Sequence, residues 1–195
     1  MPVIHEGRAE ARRRSACDFV DQSFLMRTLV VGLGNPILGD DGVGWKVAEE
    51  VARRLDQSTI YNLQSAIEID CVALGGLSLM ERLIGYERAI VIDAIGTGRH
   101  APGEVYHFDL DELYDPSAGH TTAVHDLSLM MAVQMGRALG AELPRQITVV
   151  AVEAPYTYHF TEELTPPVAA AVPVAAQSVI DLLQDHLSTP DTQVW

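Results

Sequence analysis

The chain has 195 residues, 48% of them hydrophobic, which is enough for one well-buried core and short for two. A formal net charge of -14 sets it against nucleic acid and anionic membrane as partners, and two cysteines, Cys17 and Cys71, do not make a disulfide framework. No apolar run approaches the roughly 20 residues needed to span a bilayer, so a soluble, cytoplasmic protein is expected.

The first 25 residues carry an arginine cluster, Arg12 to Arg14, without the apolar segment of a secretion signal. They read as a loosely ordered extension, or as sequence upstream of a true start at Met26, and residues 26–195 as a single domain. Residues 27–34 are the first strand. Residues 42–55 place Val43, Val47, Val51 and Leu55 on one helix face, with Asp40 or Asp41 as a cap. Residues 67–73 form a second strand containing Cys71 as a core thiol, 76–84 a short helix, and 88–95 a third strand with Asp93 near its end. A turn at 101–103 leads to an alternating strand, 104–110. After a polar loop at 115–122, a helix over about 125–139 puts Leu127, Met131, Met135 and Leu139 on its apolar stripe, with Gly140 as its stop. The last strand is 146–153, and a helix over 168–187 should be bent or delayed by Pro173. Strands alternating with helices predict an α/β fold, a mainly parallel sheet covered on both faces.

The stretch from Leu29 to Gly44, LVVGLGNPILGDDGVG, resembles a nucleotide loop that has lost its purpose. Gly34 and Gly39 have phosphate-loop separation, but Asp40 and Asp41 stand where a lysine and a hydroxyl would meet phosphate. The dinucleotide fingerprint fails too, because Ile37 occupies the third glycine position. Such a loop suits a cation or a proton. In an open parallel sheet, ligands sit beyond the carboxyl ends of the strands, where Asp41, Asp93 and His125 should all arrive. Two carboxylates and an imidazole suit zinc or nickel and leave coordination positions open. Each also has an ordinary reading: helix cap for Asp41, turn former for Asp93, surface residue for His125, with His120 competing for the imidazole role. Ser78 reads as a loop or helix-start residue, and no serine or cysteine nucleophile signature is present.

GLGNPILGDDGVG at 32–44, VIDAI at 91–95, His125-Asp126 and LTPPVAAAVP at 164–173 occur in the order of the [NiFe]-hydrogenase maturation endopeptidases, which the chain resembles from about residue 26 to 186. The resemblance implies a three-layer α/β/α sandwich around a twisted, mostly parallel sheet of about five strands. It also implies an endopeptidase, classed as aspartic-type, that removes a C-terminal extension from the nickel-loaded precursor of a hydrogenase large subunit. On that pattern Asp41, Asp93 and His125 contact the metal and Asp41 and Asp93 are catalytic. No cofactor is permanently bound: nickel is recognised in the substrate, although zinc or cadmium could occupy the site in vitro. A monomer is implied. The family's Gly-Gly-Thr-x-Gly loop, which helps read the substrate, corresponds to Ala73-Leu74-Gly75-Gly76, which keeps Gly75 and Gly76 but not the threonine. This loop is more like those of proteases serving cytoplasmic, cofactor-reducing hydrogenases. Two rivals stand beside this reading, a non-catalytic nickel-dependent chaperone or checkpoint for the same precursor and a nucleotide-binding enzyme.

Overall fold

The computed structural model describes residues 27–57, 66–114, 124–155 and 160–188, with all side chains except those of 113, 114, 124–128 and 186–188. The N-terminal extension, the polar loop at 115–122 and His120 lie outside the described residues.

Five strands form one mixed sheet in the order β2-β1-β3-β5-β4: β1 (Thr28–Leu33), β2 (Ile67–Val72), β3 (Arg88–Ile95), β4 (Val105–Asp109) and β5 (Gln146–Glu153). All neighbours are parallel except β4, which runs antiparallel to β5 at the edge. Among the described residues four α-helices accompany them: α1 (Val43–Gln57), α2 (Gly76–Arg82), α3 (Val124–Ala138) and α4 (Pro166–Ser188). The expected elements are present with ends shifted by a residue or two, and α4 runs through Pro173 as one helix.

The period of two along the strands divides the core. Val30, Ile90, Ile92, Val150 and Val152 pack with Val43, Val47 and Val51 of α1 and with Val168, Ala171, Ala175 and Val179 of α4. The alternate residues, Leu29, Val31, Ala89, Val91, Val149 and Ala151, pack with Leu79 and Met80 of α2 and Leu129, Met130 and Val133 of α3. Full burial of Val43, Val47 and Val51 is worth about 1.5–3 kcal/mol for each side chain, so the spacing of four seen in the sequence is what docks α1.

Three expectations change. In α3 the stripe of Met131, Met135 and Leu139 faces solvent, at 65%, 57% and 81% exposure, while Leu129, Met130, Ala132 and Val133 are buried. The helix is apolar on several sides, and Gly136 decides the matter. A Cβ there would lie 2.9 Å from the Met80 sulfur and 2.8 Å from Leu143, so the Gly136 side is the one pressed against its neighbours. Second, Pro166–Asp185 within α4 is long and apolar enough to cross a membrane, contrary to the expected absence of such a run. Its inward residues are buried against the sheet and α1, and the core helix of a packed domain meets the same criterion. Third, Cys71 on the edge strand is half-buried, packed against the core rather than fully inside it.

Candidate active site

The chain passes from β1 outward to β2 and then back across β1 to β3, so the connections after β1 and β3 leave in opposite directions. A crevice opens at such a reversal, beyond the carboxyl ends of the two strands. Here it is a cleft of about 300 Å³ lined by Leu33, Gly34, Asn35, Asp41, Ala73, Leu74, Gly75 and Asp93. Asp41 and Asp93, some fifty residues apart in sequence, therefore share one wall-to-wall space. Gly75 joins them, while Gly76 is the first residue of α2 with φ of 53° and makes the turn that carries the loop into that helix. A shallower groove of about 570 Å³ runs between α1 and α4, lined by Lys46, Glu49, Glu50, Arg53 and residues of α4, and holds none of the candidate residues.

The first loop is built tightly around Asp41. Its Oδ2 accepts the Asn35 N–H at 2.6 Å, and Asn35 Oδ1 accepts the Ile37 N–H at 3.2 Å. Gly34 has φ of +117°, and a Cβ there would come within 1.7 Å of the Asp41 carbonyl oxygen, so both conformation and space require glycine. Gly44 lets the first turn of α1 lie on the sheet, because a Cβ there would meet the carbonyl oxygens of Leu33 at 2.3 Å and Ile92 at 2.5 Å. The motif glycines thus serve close packing around a carboxylate, not a phosphate.

Neither aspartate caps α1. A single 3-10 turn, Gly39–Gly42, precedes that helix, and the two side chains do different things. Asp41 closes its own loop. Asp40, only 4% exposed, accepts the Thr165 N–H at 2.7 Å and the Thr165 hydroxyl at 2.8 Å, immediately before α4.

Asp93 is 7% exposed, and its Oδ1 accepts the N–H of Ala94 at 2.8 Å. Alternation along β3 places it with Ala89, Val91 and Ile95, on the side of the sheet covered by α2 and α3. His125 is the second residue of α3; its side chain lies outside the described residues. The C-terminal end of α3 lies at the amino edge of the sheet, where Gly85 donates to the Glu142 carbonyl at 2.9 Å and Arg145 to that of Glu87 at 3.0 Å. A 15-residue helix rises about 22 Å, the length of a strand of six or seven residues, so the first turn of α3 lies toward the carboxyl edge on the face that Asp93 shares. Among the described residues no three metal-ligating side chains gather, the third candidate being His125.

Two residues that sequence reasoning passed over shape the same edge. Trp45 of α1 donates its indole N–H to the Val72 carbonyl at 3.2 Å, holding the exit of β2 from which Ala73 to Gly75 continue into the cleft. Glu153, 3% exposed, accepts from the Thr97 N–H and hydroxyl, the Gly98 N–H and the Tyr106 hydroxyl, fixing the loop after β3. An acid closing the largely apolar run ITVVAV was the available signal for Glu153. Burial pushes the Cys71 thiol upward, which lowers its thiolate fraction and its use as a nucleophile.

A model of the hydrogenase maturation protease family matches residues 46–182, a span that begins just past the Asp41 loop and includes Asp93. The chain is 29% identical over 160 residues to the hydrogenase 2 maturation protease of Escherichia coli K12, covering 82% of this chain and 92% of that protein. The solved hydrogenase maturating endopeptidase HybD from E. coli superposes with a TM-score of 0.64 at 27% identity, covering 83% of this chain and 94% of the other. The [NiFe] hydrogenase maturation protease HybD of Thermococcus kodakarensis shares the fold with a TM-score of 0.60 at 24% identity, covering 81% and 99% of the two chains.

Proposed function

The chain belongs to the [NiFe]-hydrogenase maturation endopeptidases, and from that premise we propose that it removes a C-terminal extension from the nickel-loaded precursor of a hydrogenase large subunit. The observation that carries this reading is the shared cleft: Asp41 and Asp93 line one space at the topological reversal of the sheet, beside the Ala73 to Gly75 loop. Carboxylate oxygens there, with the His125 imidazole as third ligand, suit a nickel ion presented by the substrate. The peptide bond beside that ion is then held in the cleft. A water adds to its carbonyl carbon, its proton passing to a carboxylate, and the C–N bond breaks as the leaving amine is protonated. Asp41 and Asp93 are the catalytic pair in this scheme, in keeping with an aspartic-type assignment, and Gly75 and Gly76 bear the substrate-reading loop.

The same reading takes the fold as a three-layer α/β/α sandwich, supported by the two separate core clusters on the two sheet faces. It takes residues 26–195 as one domain behind a 25-residue extension, a cytoplasmic monomer with no permanently bound cofactor, its site open to zinc or cadmium in vitro.

The test is intact-mass analysis of a large-subunit precursor incubated with this protein, with and without prior nickel loading. Loss of a C-terminal peptide from the loaded form alone is the expected result. Complex formation with unchanged mass would replace the peptidase by a checkpoint that binds without cutting.

A further inference from the structure

We propose that Asp40 is a positioning residue for this hydrolysis, holding Asp41 at the cleft by fastening the first loop to the entrance of α4; the inference rests on the processing role given above. Adjacent in sequence, the two acids face different surroundings. Asp41 lines the cleft and Asp40 does not. Both Asp40 oxygens instead engage Thr165, one at the N–H and the other at the hydroxyl.

The fastening extends along the loop. Gly39 donates its N–H to the Thr161 carbonyl at 2.7 Å, Thr161 donates back to the Ile37 carbonyl at 3.1 Å, and Leu38 and Thr161 form a parallel bridge. Residues 37–40 are thus joined at each step to residues 161–165. The anchor itself is firm, since the Thr165 carbonyl accepts the Ala169 N–H at 2.8 Å and so starts α4, whose Val168 and Ala171 are buried in the core. Asp41, the next residue, has its carboxylate bonded back to Asn35 within the same loop. With the Asp40 contacts gone, the loop would lose its side-chain tie to α4, and Asp41 would lose its register against Asp93. A displacement of about 1 Å at a reacting group can cost on the order of 100-fold in rate.

Charge and position are separable here. An asparagine at 40 can still accept the Thr165 N–H through Oδ1 and donate its amide N–H to the Thr165 hydroxyl, which accepts as readily as it donates. The experiment compares D40N, D40A, T165V and D41N, measuring kcat and KM for processing of nickel-loaded precursor. Alongside, the chemical shift of the Asn35 amide proton, which points at Asp41 Oδ2, is followed by NMR. D40A is expected to lower kcat by about 10- to 100-fold with KM little changed and to move the Asn35 resonance. D40N is expected within about threefold of the parent with Asn35 in place, and T165V, which keeps the backbone donor, between the two. If D40A does not fold, D40N and T165V carry the comparison. D40N as inactive as D41N would overturn the inference by placing the Asp40 charge in the chemistry itself, and full activity in both D40A and T165V would overturn it by removing the need for the clamp. A parent protein that fails to cut while the Asn35 resonance follows the predicted order would sink the processing role and leave the clamp standing; an unmoved resonance in D40A would sink the clamp.

Discussion

The two edges of the sheet differ in what their polar groups leave open. At the amino edge they join elements far apart in the chain. Arg88, 4% exposed, donates to the Leu182 carbonyl of α4 at 2.8 Å; Gln146 and Thr148 donate to Asp109; Arg137 of α3 pairs with Asp111 at 3.0 Å. At the carboxyl edge some acids also reach across the chain, Asp40 to Thr165 and Glu153 to Thr97 and Tyr106, but the two that line the cleft accept backbone N–H groups close by, Asp41 from Asn35 and Asp93 from Ala94, and an open space remains between them. One edge closes the fold and the other shapes loops around a space. The difference separates stability from activity, and substitutions at the two edges should read out on different instruments.

The largest effect is expected at the carboxyl edge. Asp41→Asn should lower processing of nickel-loaded precursor by about 100-fold or more while leaving the Tm within about 3 °C, measured by intact mass and by thermal melting. A large fall in Tm with activity retained would erase the contrast between the edges. Next comes Arg88, whose Nε has no hydrogen-bond partner among the described residues and whose burial works against its charge. Arg88→Ala should cost about 2–4 kcal/mol in denaturant unfolding through the lost packing and the lost bond to the Leu182 carbonyl. Arg88→Met fills the space without a buried charge and should stay within about 1 kcal/mol of the parent, with processing unchanged in either variant. The smallest effect concerns pH. The Tyr86 hydroxyl, followed by Arg82, holds the Glu68 carboxyl below its ordinary value. A depressed carboxyl contributes stability that is present above the unfolded value of about 4.3 and is lost as pH falls through the folded value. Glu68→Gln should therefore flatten the acid limb of Tm against pH below about 4.5 and leave neutral stability nearly unchanged, as expected for a half-exposed pair. An acid limb identical in variant and parent would remove Glu68 from the account.

Much of this architecture is legible in local pattern. The alternation of strands and helices, the docking face of α1 and the replacement of phosphate-binding groups by acids all follow from spacings shorter than a helix, since hydrophobic periodicity reports local geometry. Legibility fails where several local solutions compete. The α3 segment has apolar residues on more than one side, and its buried face is chosen by how closely Gly136 lets Met80 and Leu143 approach. The apolar length of α4 passed unnoticed in the sequence, and its packing in the core is what accounts for a helix long and apolar enough to cross a membrane.

By itself the sequence determined the elements, their order and the carboxylate-bearing loop, because turn chemistry and side-chain period act over a few residues. Asp41 was already the expected site residue; only the tertiary structure made the choice that turns Asp40 away and leaves Asp41 beside Asp93 in the cleft. That choice depends on Thr165, 125 residues beyond Asp40, and on Asp93, brought beside the first loop by the reversal of strand order. No spacing rule reaches across such distances. There the buried carboxylate takes whatever donors the folded chain brings to it, since leaving it unpaired would cost more than any local preference supplies.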